Sequence, residues 1–241
     1  MSAVVAVGRR YLPRGWSDLG LQVAIWFGFL AVYQVARGFA DRNPAKAFQN
    51  GDDIVRFETR FTHRLYELTL QHFVDQKHWL ETIVSLTYWN SEFTVLGLAL
   101  LWVYLRRHEA FKNFRNAVLL ANVLGLIGYF AMPTAPPRLL GVGFVNQHRD
   151  GFVQLLANPY AAMPSLHAGD ALIVGIVLAS LCKNWVGKLL WMAWPAWVWF
   201  CVMATGNHFW LDCLAGSFVA LVAMAVVYRA PIRRSIAAHP A

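Results

Sequence analysis

The sequence predicts an all-α, polytopic membrane protein with six transmembrane helices and one interfacial amphipathic helix. Two observations carry that class. The 241 residues are 58% hydrophobic and only 14% charged, with a mean hydropathy of +0.42, whereas a soluble domain has roughly 25% charged residues. The apolar residues are also gathered into long runs, and about 20 of them in a row suffice to cross a bilayer.

Six runs reach or approach that length, at roughly residues 19–37, 82–105, 114–132, 166–182, 187–206 and 211–228. The fourth is the shortest. The first follows Arg9, Arg10 and Arg14 and precedes Gly38-Phe39-Ala40, as a signal peptide would, but its apolar run exceeds a usual signal core and predicts a retained helix. Between the first two spans, residues 52–74 place Ile54, Phe57, Phe61, Leu65, Leu68 and Phe73 at helical spacing, with Asp, Glu and Arg between them. This predicts a helix lying along the outer surface. Residues 133–164 are punctuated by Pro133, Pro136, Pro137, Gly141, Gly143, Gly151, Pro159 and Pro164. No regular helix accommodates that pattern, and a fairly apolar connection of this length predicts a lid or partly re-entrant segment over a site.

The net charge of +8 does not point to nucleic acid. The basic residues stand in short groups beside apolar runs: Arg9, Arg10, Arg14; Arg106, Arg107, Lys112, Arg115; Lys183, Lys188; Arg229, Arg233, Arg234. Topology and anionic headgroups explain such groups. With the amino terminus in the cytoplasm, all twelve fall on the inner side, which predicts both termini in the cytoplasm and an integral plasma-membrane protein. Cys182, Cys201 and Cys213 have neither metal-ligand spacing nor a disulfide framework and read as packing residues. The Trp-rich fifth span (Trp191, Trp194, Trp197, Trp199) reads as an interfacial belt and packing surface.

With that topology, Arg138 after the third span, Ser165 and His167 at the start of the fourth, and Asn207, His208 and Asp212 at the start of the sixth emerge on one extracytoplasmic face. Ionisable groups at helix mouths in a membrane are costly and are functional candidates. The i, i+4 spacing of His208 and Asp212 predicts that the carboxylate holds one ring nitrogen while the other attacks. Arg138 offers a planar fork for phosphate oxygens. Ser165 with the first amides of the fourth helix forms an anion-binding start, and it also reads as a plain N-cap. The chemistry is covalent displacement at phosphorus: His208 as nucleophile, Asp212 fixing its tautomer, His167 protonating the leaving alkoxide, and Arg138, Ser165 and Asn207 binding the phosphate. It calls for no metal and no cofactor. Asp170, one turn after His167, is placed either to orient His167 or to face a polar bundle interior, and Glu92 in the second span reads as a polar lining of the substrate cavity.

The Pro164-Ser165-Leu166-His167 and His208-x-x-x-Asp212 motifs, separated by two apolar spans and preceded by Pro133-Thr134-Ala135-Pro136-Pro137-Arg138, resemble the type 2 phosphatidic acid phosphatase (PAP2) superfamily, in the branch of inositol phosphorylceramide synthases. The resemblance covers residues of about 80–230, the catalytic core of a single domain spanning residues 1–241. It implies that His167 is the general acid, His208 the nucleophile and Asp212 its orienter. The superfamily's lysine seven residues before an Arg-Pro is Ala131 here, and Arg138 is followed by Leu139. The Ser-Arg that ends six residues before the nucleophile is Cys201-Val202. Two cationic phosphate contacts are thus absent, with Arg149, His148 and Asn207 as candidate replacements.

These features predict a membrane phosphatase or phosphotransferase acting through a phosphohistidine on a phosphatidate, isoprenoid or inositol-lipid phosphate. Its partners are the bilayer, the lipid phosphate and, for transfer, a polyol acceptor. The rival reading is an anionic-lipid transporter or flippase using the same cationic pocket without chemistry. Against it stand the missing symmetry between halves and an acid paired with an oriented nucleophile, which binding does not need. A vanadate-dependent oxidation site shares the constellation but uses a richer cationic cradle.

Overall fold

In the computed structural model, which describes residues 12–39, 43–144 and 160–237, the described residues are helical apart from short connections and one isolated bridge between Thr134 and Ala161. Helix α1 (Gly15–Phe39) carries Asp18 in its first turn and Arg37 in its last, each matching the helix dipole. Of its described side chains only Tyr33 is buried, so α1 lies at the periphery. Its amino-terminal end is tied inward by Tyr104, whose hydroxyl donates to Asp18 Oδ2 at 2.9 Å, and by Arg115, which donates to Gln22.

The outer segment is two helices where the sequence predicts one over 52–74. Helix α2 (Pro44–Thr62) begins earlier, at Asn43, which caps the Lys46 amide at 3.1 Å ahead of Pro44. It stops at His63, whose φ of 62° is left-handed. Helix α3 (Tyr66–Asp75) follows. Phe57, Phe61 and Phe73 are exposed, whereas Ala47, Gly51, Ile54 and Glu58 of α2 and Glu67, Gln71 and Val74 of α3 are buried. Two carboxylates that composition assigns to water therefore point into the protein.

The second predicted span is a broken rod: α4 (His78–Asn90), a π-helical turn (Ser91–Val95) and α5 (Leu96–Arg106). A π-turn re-phases the helix around it and often marks a functional site; this one carries Glu92. Helix α6 (His108–Ala131) is followed by a 3-10 turn (Pro137–Leu139), and α7 (Leu166–Leu181), α8 (Trp185–Ala204) and α9 (Trp210–Ala237) complete the bundle. Among the described residues four segments are long and apolar enough to cross a membrane: Gly15–Phe39, His108–Ala131, Trp185–Ala204 and Trp210–Arg229. Helix α7 has 16 residues, about 24 Å at 1.5 Å per residue, short of the roughly 30 Å hydrocarbon layer. It occupies the middle of the bundle, packed by α6, α8 and α9.

The main core joins α5, α6, α7 and α9 through Val103, Phe114, Val118, Ile173 and Ala220. Glycines set how closely α7 can be approached. A Cβ on Gly216 of α9 would lie 1.9 Å from the Ser165 carbonyl oxygen, and one on Gly169 of α7 would lie 2.9 Å from the Gly216 carbonyl oxygen. Small residues let helix backbones meet in this way, and the contact draws together the starts of α7 and α9, where the predicted site lies. Trp197 of α8 donates from its indole to Thr87 at 3.2 Å, the packing role predicted for the tryptophan set. The three cysteines are free thiols.

Candidate active site

The connection between α6 and α7 is pinned at both ends. Thr134 N donates to Tyr160 O at 2.8 Å, Ala162 N to Thr134 O at 3.2 Å, and Ala135 N to Ala47 O at 3.0 Å, while the Asn50 side chain donates to Pro133 O at 2.7 Å. These bonds hold Arg138 and Ala162 against the bundle. Residues 145–159, which include His148, Arg149 and nearly half of the predicted lid, lie outside the described residues.

The two halves of the site are joined through backbone. Ser165 N donates to Asp212 O at 2.9 Å, and Arg138 N donates to Gly206 O at 3.0 Å. Gly206 has a φ of 66°, and a Cβ there would meet Phe144 at 2.8 Å and the Arg138 Cβ at 3.3 Å. Conformation and space both require glycine. The structure thus brings together Arg138, Ser165, His167, Asn207, His208 and Asp212.

His208 lies just before α9, not on it. Its Nδ1 is 2.9 Å from Ala162 O and 3.5 Å from Asp212 Oδ2. A carbonyl only accepts, so Nδ1 carries the proton and Nε2 has a free lone pair. The predicted i, i+4 helix-face geometry therefore does not arise. Ala162 O is the hydrogen-bond acceptor, and Asp212 Oδ2 stands beside it, 3.5 Å from Nδ1. Asp212 Oδ2 also accepts from Phe209 N at 2.9 Å, capping α9. Burial lowers the His208 pKa to about 4, which keeps the ring neutral, as a nucleophile requires.

The His167 ring faces the His208 ring, with centroids 5.6 Å apart, and stacks on Tyr88 at 4.8 Å. Its Nε2 is 3.2 Å from Glu92 Oε2. The partner that orients His167 is thus Glu92, supplied by the π-turn. Asp170, the other candidate, is occupied elsewhere: both its oxygens accept from Asn122 Nδ2, at 3.1 and 3.2 Å, in the polar bundle interior. Ser165 is fully buried and accepts from Ala168 N at 3.3 Å, the N-cap role. Asn207 turns its carboxamide nitrogen to Thr205 Oγ1 at 2.8 Å.

Among the described residues no carboxylate pairs with Arg138 within ion-pair distance. A second cation, missed in the sequence because it ends a span where a basic residue suits the dipole, is Arg37 of α1. Its guanidinium is near enough to Glu92, Tyr88 and both histidines to bear on their charges, and it lines a cleft with Tyr33, Glu92, Asn122 and Asp170. Cys201 and Val202, at the positions of the superfamily's Ser-Arg, are buried among apolar side chains. Val202 O accepts from the amides of Asn207 and His208, at 3.1 and 3.2 Å. Among the described residues no cluster of His, Cys, Asp or Glu is arranged to hold a metal ion.

The described residues form an all-helical, membrane-type bundle that sets two imidazoles against each other near an arginine at the helix mouths. The PAP2 superfamily model matches residues 52–226, and the chain belongs to that superfamily, whose members are phosphatases and phosphotransferases. The chain is similar to an inositol phosphorylceramide synthase of Candida albicans, 25% identical over 138 residues, which are 46% of this chain and 28% of that protein. It is also similar to a phosphoinositol dihydroceramide synthase of Bacteroides thetaiotaomicron, 26% identical over 150 residues, 53% of this chain and 48% of that protein. The chain therefore matches less than half the length of either relative. The crystal structure of Aquifex aeolicus LpxE shares the fold, with a TM-score of 0.55 and 19% identity, covering 67% of this chain and 94% of that one.

Proposed function

We propose that the chain transfers the phosphoryl group of a lipid phosphate ester through a covalent phosphohistidine on His208. The observation that carries this reading is the His208 ring, held at Nδ1 by Ala162 O and Asp212 and leaving Nε2 free opposite His167. In the first step Nε2 attacks phosphorus, the P–N bond forms, the P–O bond to the lipid breaks, and His167 gives its proton to the departing alkoxide. In the second step water or an alcohol attacks phosphorus, His167 takes its proton, and the P–N bond breaks. Water yields free phosphate from a lipid phosphomonoester and inositol phosphate from an inositol lipid; a polyol or ceramide-type alcohol yields a new ester. Arg138 and the first amides of α7 bind the phosphate oxygens. The start of α9 is less available, because carboxylates already take the amides of Phe209, Trp210 and Leu211.

The names of the two relatives support an inositol phosphate as the group transferred and transfer as the outcome. Six crossings fit the bundle when the α4–α5 rod and the shielded α7 are added to the four long apolar helices, with α2 and α3 along the outer interface. The basic groups at Arg106, Arg107, Lys112 and Arg115 support both termini in the cytoplasm of a plasma-membrane protein and a site on the outer face.

Purified protein incubated with radiolabelled phosphatidate, isoprenoid phosphate and phosphatidylinositol, with and without inositol or ceramide, tests the activity. Labelled free phosphate, labelled inositol phosphate from phosphatidylinositol, or a labelled new lipid is the expected result. Tight binding with no turnover of any of them would favour the transporter reading. Cysteines at Arg64 and Lys112, in a background lacking the native three, test the topology. An impermeant thiol reagent is expected to reach the first from outside the cell and the second only from inside.

A further inference from the structure

Three carboxylates converge on the start of α9, and the proposed chemistry uses only one. Asp212 Oδ2 takes the Phe209 amide at 2.9 Å. Glu67 Oε1, from α3, takes the Trp210 amide at 2.7 Å, and Glu58 Oε1, from α2, takes the Leu211 amide at 3.1 Å. All three side chains are wholly buried; the Glu58 and Glu67 carboxyls lie within hydrogen-bond reach of each other once one is protonated, and Asp212 Oδ1 has no hydrogen-bond partner. Helix starts carry unsatisfied amides and partial positive charge, so one carboxylate there is favourable. Three cost heavily, because like charges buried together repel and each has lost its water. Two aromatic contacts complete the joint: the Phe57 and Phe61 rings lie 6.5 and 6.3 Å from that of Trp210.

We propose that Glu58 and Glu67 are positioning residues for the nucleophile: from the outer helices they clamp the first turn of α9 and so fix the register of His208 against His167. The clamp holds a proton. Burial first, then the neighbouring Glu67 and Asp212, pushes the Glu58 carboxyl up to about 9, and burial raises Glu67 as well. The groups facing Glu58 are Glu67 from α3 and Asp212 and the Cys213 thiol from α9. Neither glutamate has an ion-pair partner among the described residues. At neutral pH Glu58 is protonated and uncharged while its Oε1 still accepts from Leu211. Loss of that proton adds a negative charge to a helix turn already crowded by two other buried carboxyl groups, beside a site that must admit an anionic phosphate. The clamp then loosens, and turnover falls as pH rises through about 9.

The inference rests on the proposed phosphoryl transfer for its kinetic readout but not for its structural one. Glu58→Gln keeps an accepting oxygen for Leu211 and supplies an uncharged donor where the carboxyl proton stood; Glu58→Ala leaves the Leu211 amide bare. The full chain in detergent is assayed on dioctanoyl phosphatidate across pH. Separately, in a Cys182→Ala, Cys201→Ala background, N-ethylmaleimide labelling of Cys213, one residue beyond Asp212, reports opening of the first turn of α9. Glu58→Ala is expected to lower kcat by about tenfold or more with KM within about threefold, the signature of a displaced reacting group. Glu58→Gln is expected to restore most of that loss and abolish the alkaline decline. Cys213 labelling should rise more steeply with pH in the wild type than in Glu58→Gln, and should be fast at neutral pH in Glu58→Ala. An alkaline decline and a labelling profile unchanged by Glu58→Gln would overturn the proposal, as would slow Cys213 labelling in Glu58→Ala. If wild-type protein turns over none of the lipid phosphates, the catalytic reading fails, and Cys213 still decides the clamp.

Discussion

Gly216→Ala isolates the helix contact on which the site depends. The added Cβ would stand 1.9 Å from Ser165 O, 2.8 Å from Ser165 C and 3.2 Å from Ser165 N. All three are backbone atoms, so no side-chain rotation relieves the clash. Reaching an ordinary contact of about 3.4 Å from Ser165 O requires α7 and α9 to part by about 1.5 Å near their starts. That movement pulls on the Ser165 N to Asp212 O bond and changes the spacing of His167 and His208. Overpacking of this kind costs about 1–3 kcal/mol, and a 1 Å misplacement of reacting groups can cost about 100-fold in rate. Thermal unfolding in detergent and initial rates on a lipid phosphate measure the two effects. Gly97→Ala is the control: a Cβ there meets nothing within 4 Å, and alanine in a helix gains about 0.5–1 kcal/mol over glycine. Wild-type kcat and melting temperature in Gly216→Ala would refute the reasoning.

Asp212→Asn keeps the cap on Phe209 N and leaves Ala162 O on Nδ1, so it is expected to lose one charged contact of about 1.5–3 kcal/mol, roughly 10- to 150-fold in kcat; a loss as deep as that of His208→Ala would mean that Asp212 alone orients the ring. His167→Ala is expected to be severe on alkyl phosphates and mild on aryl phosphates, whose leaving groups need no proton; equal losses would assign His167 to phosphate binding. Arg138→Lys retains the charge but loses the planar fork, and should cost more than about tenfold in kcat/KM, or about 1.4 kcal/mol; a near-normal variant would shift that role to Arg37 or backbone amides. Stability, read as melting temperature against pH, is expected to fall between the ordinary carboxylate range and about 9. Over that range the folded state keeps the Glu58 proton that the unfolded chain has released, so rising pH favours unfolding. Glu58→Gln should flatten that slope. Activity is expected to survive EDTA, since the proposed acid, nucleophile and cation are all side chains; abolition by EDTA with rescue by Mg²⁺ would contradict this.

Much of the architecture is legible because a bilayer imposes length and apolarity. The run at residues 187–206 corresponds to α8 within two residues at each end, the run at 114–132 ends within one residue of α6 but misses its first six, and α7 begins at the predicted Leu166. The gathering of Arg138, His167, His208 and Asp212 is legible because ionisable groups at helix mouths stand out against an apolar background. What was not legible depends on helix phase and on contacts between distant segments. Glu92 reaches His167 from a π-turn, whose added residue cannot be seen in a hydrophobic pattern. Glu58 and Glu67 read as the wet side of an amphipathic helix until α9 presents amides to them. Arg37 reads as a dipole-matching end residue. The i, i+4 argument for His208 and Asp212 assumed a helix that starts two residues later, at Trp210.

The central claim is a phosphohistidine on His208. Rapid quenching of the protein with radiolabelled lipid phosphate under alkaline conditions, followed by peptide mapping, tests it most directly. The account predicts a base-stable, acid-labile label confined to the peptide that contains His208, formed faster than turnover and enriched in His167→Ala when an aryl phosphate loads the enzyme and the second step lacks its base. A turning-over enzyme with no labelled peptide, or with the label on another residue, would contradict it.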